Sequence, residues 1–118
     1  MKKAYIAGKI TGLPLKEAEL NFKEKEQELK NRGFEVFNPL SEVKKLNLQR
    51  LSEGKRELTD QDNRKEIMRF CIQNMLACDE VHLLPNWTNS RGAWDERVMA
   101  QKYGIGIVYP KLSEKWNY

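Results

Sequence analysis

Residues 4–14 read AYIAGKITGLP, a short apolar run followed by two glycines and a proline within seven positions. The run AYIA (4–7), closed by Gly8, has the length and apolarity of a buried strand. A helical stripe follows: Leu15, Ala18, Phe22 and Leu29 share one face between charged residues, and Gly33 stops the helix after Arg32. FEVF (34–37) then makes a second strand, closed by Asn38-Pro39. Strand, loop, helix, strand is a right-handed crossover, and that unit sets the fold of the whole chain.

The remaining residues keep the same rhythm. Residues 40–61 predict a short helix over 41–50 and then a mobile polar segment around Gly54. Asp62 or Asn63 can cap the next helix, whose stripe is Ile67, Met68, Cys71, Ile72, Met75 and Leu76. EVHLLP (80–85) is a third strand and NWTNSRG (86–92) a loop. A third long helix runs from Ala93 to Tyr103 and stops at Gly104, before a fourth strand, IGIVY (105–109). PKLSEKWNY (110–118) reads as a tail, loose or docked at a surface.

The prediction is one α/β domain over residues 1–118. It is a small doubly wound, flavodoxin- or Rossmann-like parallel sheet of four strands, order 2-1-3-4, with helices on both faces. A ligand in such a sheet lies beyond the carboxyl ends of strands 1 and 3, where GKITGLP and NWTNSRG meet.

Composition narrows the function classes. The chain has 118 residues, 40% hydrophobic and 32% charged, which suits one core and a well-solvated surface. Its net charge of +4 comes from interleaved runs such as KEKEQELKNR (23–32), the pattern of solvated helix faces, so nucleic acid is not the expected partner. Cys71 and Cys78, seven residues apart on one helix, lie about 10 Å apart, too far for a disulfide. The single histidine, His82, sits in an apolar strand. Buried thiols in a reducing cytoplasm are expected, with no metal and no cofactor. MKKAYIAGKITG (1–12) lacks the apolar core of a secretory signal, and no run approaches the ~20 residues of a membrane span. The expectation is a cytoplasmic protein without membrane contact.

The two loops carry the chemistry. Gly8 and Gly12 allow backbone that other residues avoid, and Thr11 adds a hydroxyl; the following helix aims free N–H groups at the same space. The loop reads as an anion cradle or as a tight βα turn. In the second loop Ser90, Arg91 and Gly92 stand at a helix start, with Glu96 about one turn in. Ser90 can cap the helix or hold a ligand; Arg91 can pair with a phosphate. Asp95 and Glu96 are separated by about 100° around the helix, so they do not form an acid/base dyad. Tyr5 reads as a packing residue or as a hydroxyl reaching the cleft, and Trp87 as a pocket wall or a cover for the sheet edge.

In order, YIAGKITG, GFEVFNP, CDEVHLLPNW and SRGAWDE resemble the nucleoside 2-deoxyribosyltransferase-like superfamily over about residues 4–109. They resemble most closely a small bacterial and phage branch related to 2′-deoxynucleoside 5′-phosphate N-hydrolases. The resemblance implies cleavage of the base–sugar bond of a small-molecule nucleoside or its 5′-monophosphate by a hydrolase, or transfer to a second base. It implies that Glu96 is the nucleophile, and that Tyr5 orients its carboxylate. Gly8, Ile10, Thr11 and Gly12, with Ser90 and Gly92, would hold a 5′-phosphate. Lys9 stands where the superfamily has proline or serine, and it adds charge with Arg91. Cys71 stands eight residues before Asp79, where the superfamily often has a base-contacting aspartate; Asp95 and Trp87 are the other candidates for the base pocket. Relatives assemble as homodimers or larger, so an oligomer is expected, with Trp116, Asn117 and Tyr118 as a contact. A nucleotide-binding module without catalysis is the alternative.

Overall fold

Three strands flank or follow the one that opens the chain, and all run parallel. A computed structural model describes residues 1–111; Trp116, Asn117 and Tyr118, named above as an oligomer contact, lie outside the described residues. The strands β1 (Lys3–Ala7), β2 (Glu35–Phe37), β3 (Glu80–Leu83) and β4 (Gly106–Val108) form a sheet of order β2-β1-β3-β4. Tyr5 of β1 lies beside Phe37 of β2 and Val81 of β3. Between the strands run α1 (Leu15–Asn31), α2 (Pro39–Ser52), α3 (Arg64–Leu76) and α4 (Arg91–Lys102). The predicted architecture and strand order are those observed.

Strand alternation divides the core in two. Tyr5, Ala7, Phe37, Val81 and Leu83 face α3 and α4, where Cys71, Met75, Ala93 and Ala100 meet them. Ala4, Ile6 and Leu84 face the other way, onto Phe22 and Leu29 of α1. The chain steps from β1 to β2 in one direction and from β2 over β1 to β3 and β4 in the other. Right-handed crossovers therefore place α1 on one face and α3 and α4 on the opposite one. The direction changes between β1 and β3, which leaves a crevice beyond their carboxyl ends.

Several local expectations are corrected. The second helix begins at Pro39, because Asn38 caps it through bonds from the N–H of Leu40 (3.1 Å) and Ser41 (3.5 Å). A proline at the first helical position is favourable there, since its missing N–H has no intrahelical partner to lose. The polar segment read as mobile is held at Leu58, its one buried residue. The Asn47 side chain accepts from the Leu58 N–H (2.7 Å) and donates to the Leu58 carbonyl (3.0 Å). Asn63 stands at the start of α3 but turns its carbonyl to the Thr59 N–H (3.0 Å) instead of capping the helix. Leu76 lies 46% exposed, so the apolar stripe of α3 ends at Met75. Among the described residues, no helix is long and apolar enough to cross a membrane.

Candidate active site

A cavity of about 640 Å³ opens beyond the carboxyl ends of β1 and β3. Its floor is Tyr5, which β1 points toward α3 and α4. The ring stacks on Phe37, with centroids 5.4 Å apart and planes 10° from parallel. That packing aims the phenol along the sheet, where its hydroxyl donates a hydrogen bond to the Glu96 carboxylate from the second turn of α4. Residues 91 positions apart in the chain thus meet at the crevice.

Electrostatics at this pair are unusual. Burial pushes the Glu96 carboxyl up to about 7; the Tyr5 bond pulls it down and the Asp95 charge pushes it further up. Tyr5 is raised well above an ordinary phenol by its own burial and by the Glu96 charge, so it keeps its proton and acts as a donor. Cys71 of α3 joins them, its thiol pushed up to about 11 by burial and by Glu96. It is therefore a neutral thiol at pH 7, without the charge an aspartate would bring.

The two loops are tied together above this floor. Ser90 caps α4, accepting from the Ala93 N–H (3.1 Å), and its hydroxyl donates to the Gly8 carbonyl (3.4 Å). The fully buried Asn86 accepts from the Lys9 N–H (3.1 Å). Gly8 is glycine for a steric reason: a Cβ would lie 2.5 Å from the Leu84 side chain, with no positive φ involved. At Gly92 a Cβ would meet only Ser90 Oγ, at 3.9 Å, so its absence leaves room on the cavity side. The N–H groups of Arg91 and Gly92, in the first turn of α4, have no intrahelical carbonyl to bond.

Of the residues singled out from sequence, Tyr5, Gly8, Ile10, Thr11, Cys71, Ser90, Arg91, Gly92 and Glu96 line the cavity. Four others do not. Lys9 turns its side chain back over the loop, with Cε 3.6 Å from where a Gly12 Cβ would stand, and Gly12 itself is exposed with φ +90. Asp95 is exposed on the far side of α4. Trp87 belongs to a separate cluster with Trp94 and Tyr109 around the Arg97 guanidinium, so it packs beside β4 and does not line this cavity.

The opposite wall went unread in the sequence. It is built by α2 and α3 with the connection between them, including Val43, Leu58, Asp60, Arg64 and Met68. Asn38-Pro39 was its available signal, a cap followed by a first-turn proline that starts a longer helix than the apolar spacing does.

Residues 2–109 match a family model described as a domain of unknown function, DUF4406. The chain belongs to the DUF4406 family. No curated protein and no solved structure matches it. The match covers every strand and helix described, so in this DUF4406 member the crevice and both of its walls lie within the family domain.

Proposed function

We propose that this DUF4406 protein is an N-glycosidase that releases the base from a nucleoside 5′-monophosphate, with Glu96 as nucleophile. The observation that carries the reading is the hydrogen bond from Tyr5 to the Glu96 carboxylate at the mouth of the sheet. A phenol fixed by stacking holds one carboxylate oxygen and leaves the other free to attack.

The free oxygen attacks C1′ of the sugar as the C1′–N bond breaks. The bonding pair leaves with the base, which takes a proton from water in the open cavity. The resulting glycosyl ester is hydrolysed by water, restoring the carboxylate. Positive charge that develops on the sugar in each transition state is stabilised by the ionised carboxylate. The proposed seat of a 5′-phosphate is the start of α4, where Thr11, Ser90, Arg91 and Gly92 line the cavity and the N–H groups of Arg91 and Gly92 lack intrahelical partners. The cavity volume suits a molecule of nucleotide size.

A second reading, a nucleotide-binding module without turnover, is favoured by one observation: the neutral thiol of Cys71 beside Glu96. The deciding experiment is chromatography of free base released from a panel of nucleosides and nucleoside monophosphates. Wild type is assayed beside Glu96→Gln. Release from monophosphates that Glu96→Gln abolishes supports the glycosidase; calorimetric binding with no release supports the module. Undiminished release by Glu96→Gln overturns the assignment of the nucleophile.

A further inference from the structure

We infer that the strap over residues 53–63, together with the start of α3, reads the base, and that Asp60 and Arg64 fit a 2-amino-6-oxopurine, the guanine pattern. The inference rests on the nucleotide reading of the cavity. Arg64, Met68 and Cys71 follow one another at helical spacing along the cavity side of α3. Cys71 marks the reacting end, because it adjoins Tyr5 and Glu96. Seven residues of helix rise about 10 Å, so the backbone of Arg64 stands that far along α3 from Cys71 at the reacting end. This is the reach from an attacked C1′ across a two-ring base to its far edge, beyond the span of a single pyrimidine ring. Between the two ends this wall is apolar, with Val43, Leu58, Ile67 and Met68 lining the cavity, and suits the flat face of a base.

At the far end the lining turns charged. Arg64 Nη1 lies 3.2 Å and 3.4 Å from the two Asp60 carboxylate oxygens. Both side chains are more than half exposed, so the pair adds little to stability and can open toward a ligand. Asp60 offers only acceptors and Arg64 only donors. Guanine presents two adjacent N–H donors, at N1 and the 2-amino group, to a carboxylate, and its O6 and N7 to a guanidinium. Hypoxanthine lacks the 2-amino donor, and adenine has an acceptor at N1 where the carboxylate needs a donor.

Calorimetry on Glu96→Gln, which cannot turn substrate over, separates this inference from the reading beneath it. The ligands are the 2′-deoxy 5′-monophosphates of guanine, hypoxanthine and adenine. The expected result is guanine bound about tenfold more tightly than hypoxanthine, the loss of one hydrogen bond to a charged group. Adding Asp60→Asn should bring guanine to within about twofold of hypoxanthine. All three ligands bound equally, or a selectivity that Asp60→Asn leaves unchanged, overturns the inference and leaves the nucleotide reading intact. No binding of any monophosphate overturns both.

Discussion

Two carboxylates in this protein sit against an aromatic partner on opposite faces of one sheet, and they differ in nearly everything else. Glu96 meets Tyr5 at the carboxyl ends of the strands, inside a cavity. Glu80 meets His82 Nε2 at 2.8 Å on the α1 face, where Glu80 opens β3 at its amino end and also pairs with Lys2 at 3.4 Å. Burial drives Glu96 up to about 7. For Glu80 the bonds from His82 and Lys2 outweigh its slight burial and hold it below the usual carboxyl range. The sheet thus tolerates one paired acid at its solvated end, and at its carboxyl end it carries one poised between charged and neutral at pH 7. Which end of the sheet the acid meets, and how deeply it is buried there, separates a carboxylate held charged from one poised near neutrality.

The sharpest way to break this contrast is to remove each acid in turn. Glu96→Gln should lower base release at least ~1000-fold, as losing a nucleophile does, while Glu80→Gln stays within about twofold of wild type. Equal losses would erase the distinction. Tyr5→Phe comes next, with kcat lower by about 10- to 100-fold. It should also move the acid limb of the rate profile to higher pH. In wild type, kcat/KM should rise through about pH 7 as Glu96 ionises; without the Tyr5 bond, which lowers Glu96, burial acts unopposed. A limb that stays in place would show that Tyr5 does not bond the reacting carboxylate.

Stability should slope in opposite directions for the two pairs. Folded Glu96 keeps its proton between the ordinary carboxyl value of 4.5 and about 7 while the unfolded chain loses it, so its contribution falls as pH rises through that window. Glu96→Gln should then stabilise the protein at pH 8 by about 2 kcal/mol, less than the full shift because water reaches the cavity, and by almost nothing below pH 4.5. His82 is held below its ordinary value of 6.5, chiefly by burial, so its contribution is lost as pH falls below that value. Urea titrations from pH 5 to 8 on Glu96→Gln and His82→Asn would show the two slopes or refute them. The smallest effect is Ser90→Ala, which removes the cap of α4 at a cost of about 1 kcal/mol and weakens monophosphate binding more than nucleoside binding. Equal weakening of both ligands would assign Ser90 to capping alone.

Most of the sheet was legible because its signals are local. Apolar runs of strand length bounded by glycine and proline gave four strands in their observed order, and helix spacing put Glu96 and Asp95 on different sides of α4. Tyr5 and Glu96 were legible as a pair only through a resemblance spread over the chain, since nothing local links positions 91 residues apart. Lys9 and Trp87 looked like site residues by proximity in sequence, but a loop's side chains turn wherever packing allows, and these two turn away. The far wall was hidden because a polar segment is ordered here by side chains such as Asn47, Arg50 and Asn63 bonding its backbone, which carry no periodic pattern. Gly8 was legible as a necessary glycine but not as a neighbour of Leu84, a contact that only the tertiary fold creates.

The clamp at Asn47 has a consequence for how the domain can change. The Asn47 amide bonds both backbone groups of Leu58, supplying what a neighbouring strand would supply, so the seat of Leu58 does not depend on how much chain precedes it. Loop-closure entropy grows only slowly with length. Gly54, at φ +76 and with nothing within 4 Å of where a Cβ would stand, marks a turn with open space around it. Residues can therefore be inserted or deleted near Gly54 without disturbing β1 or α4, and the rim of the cavity can be lengthened or trimmed while its floor stays the same.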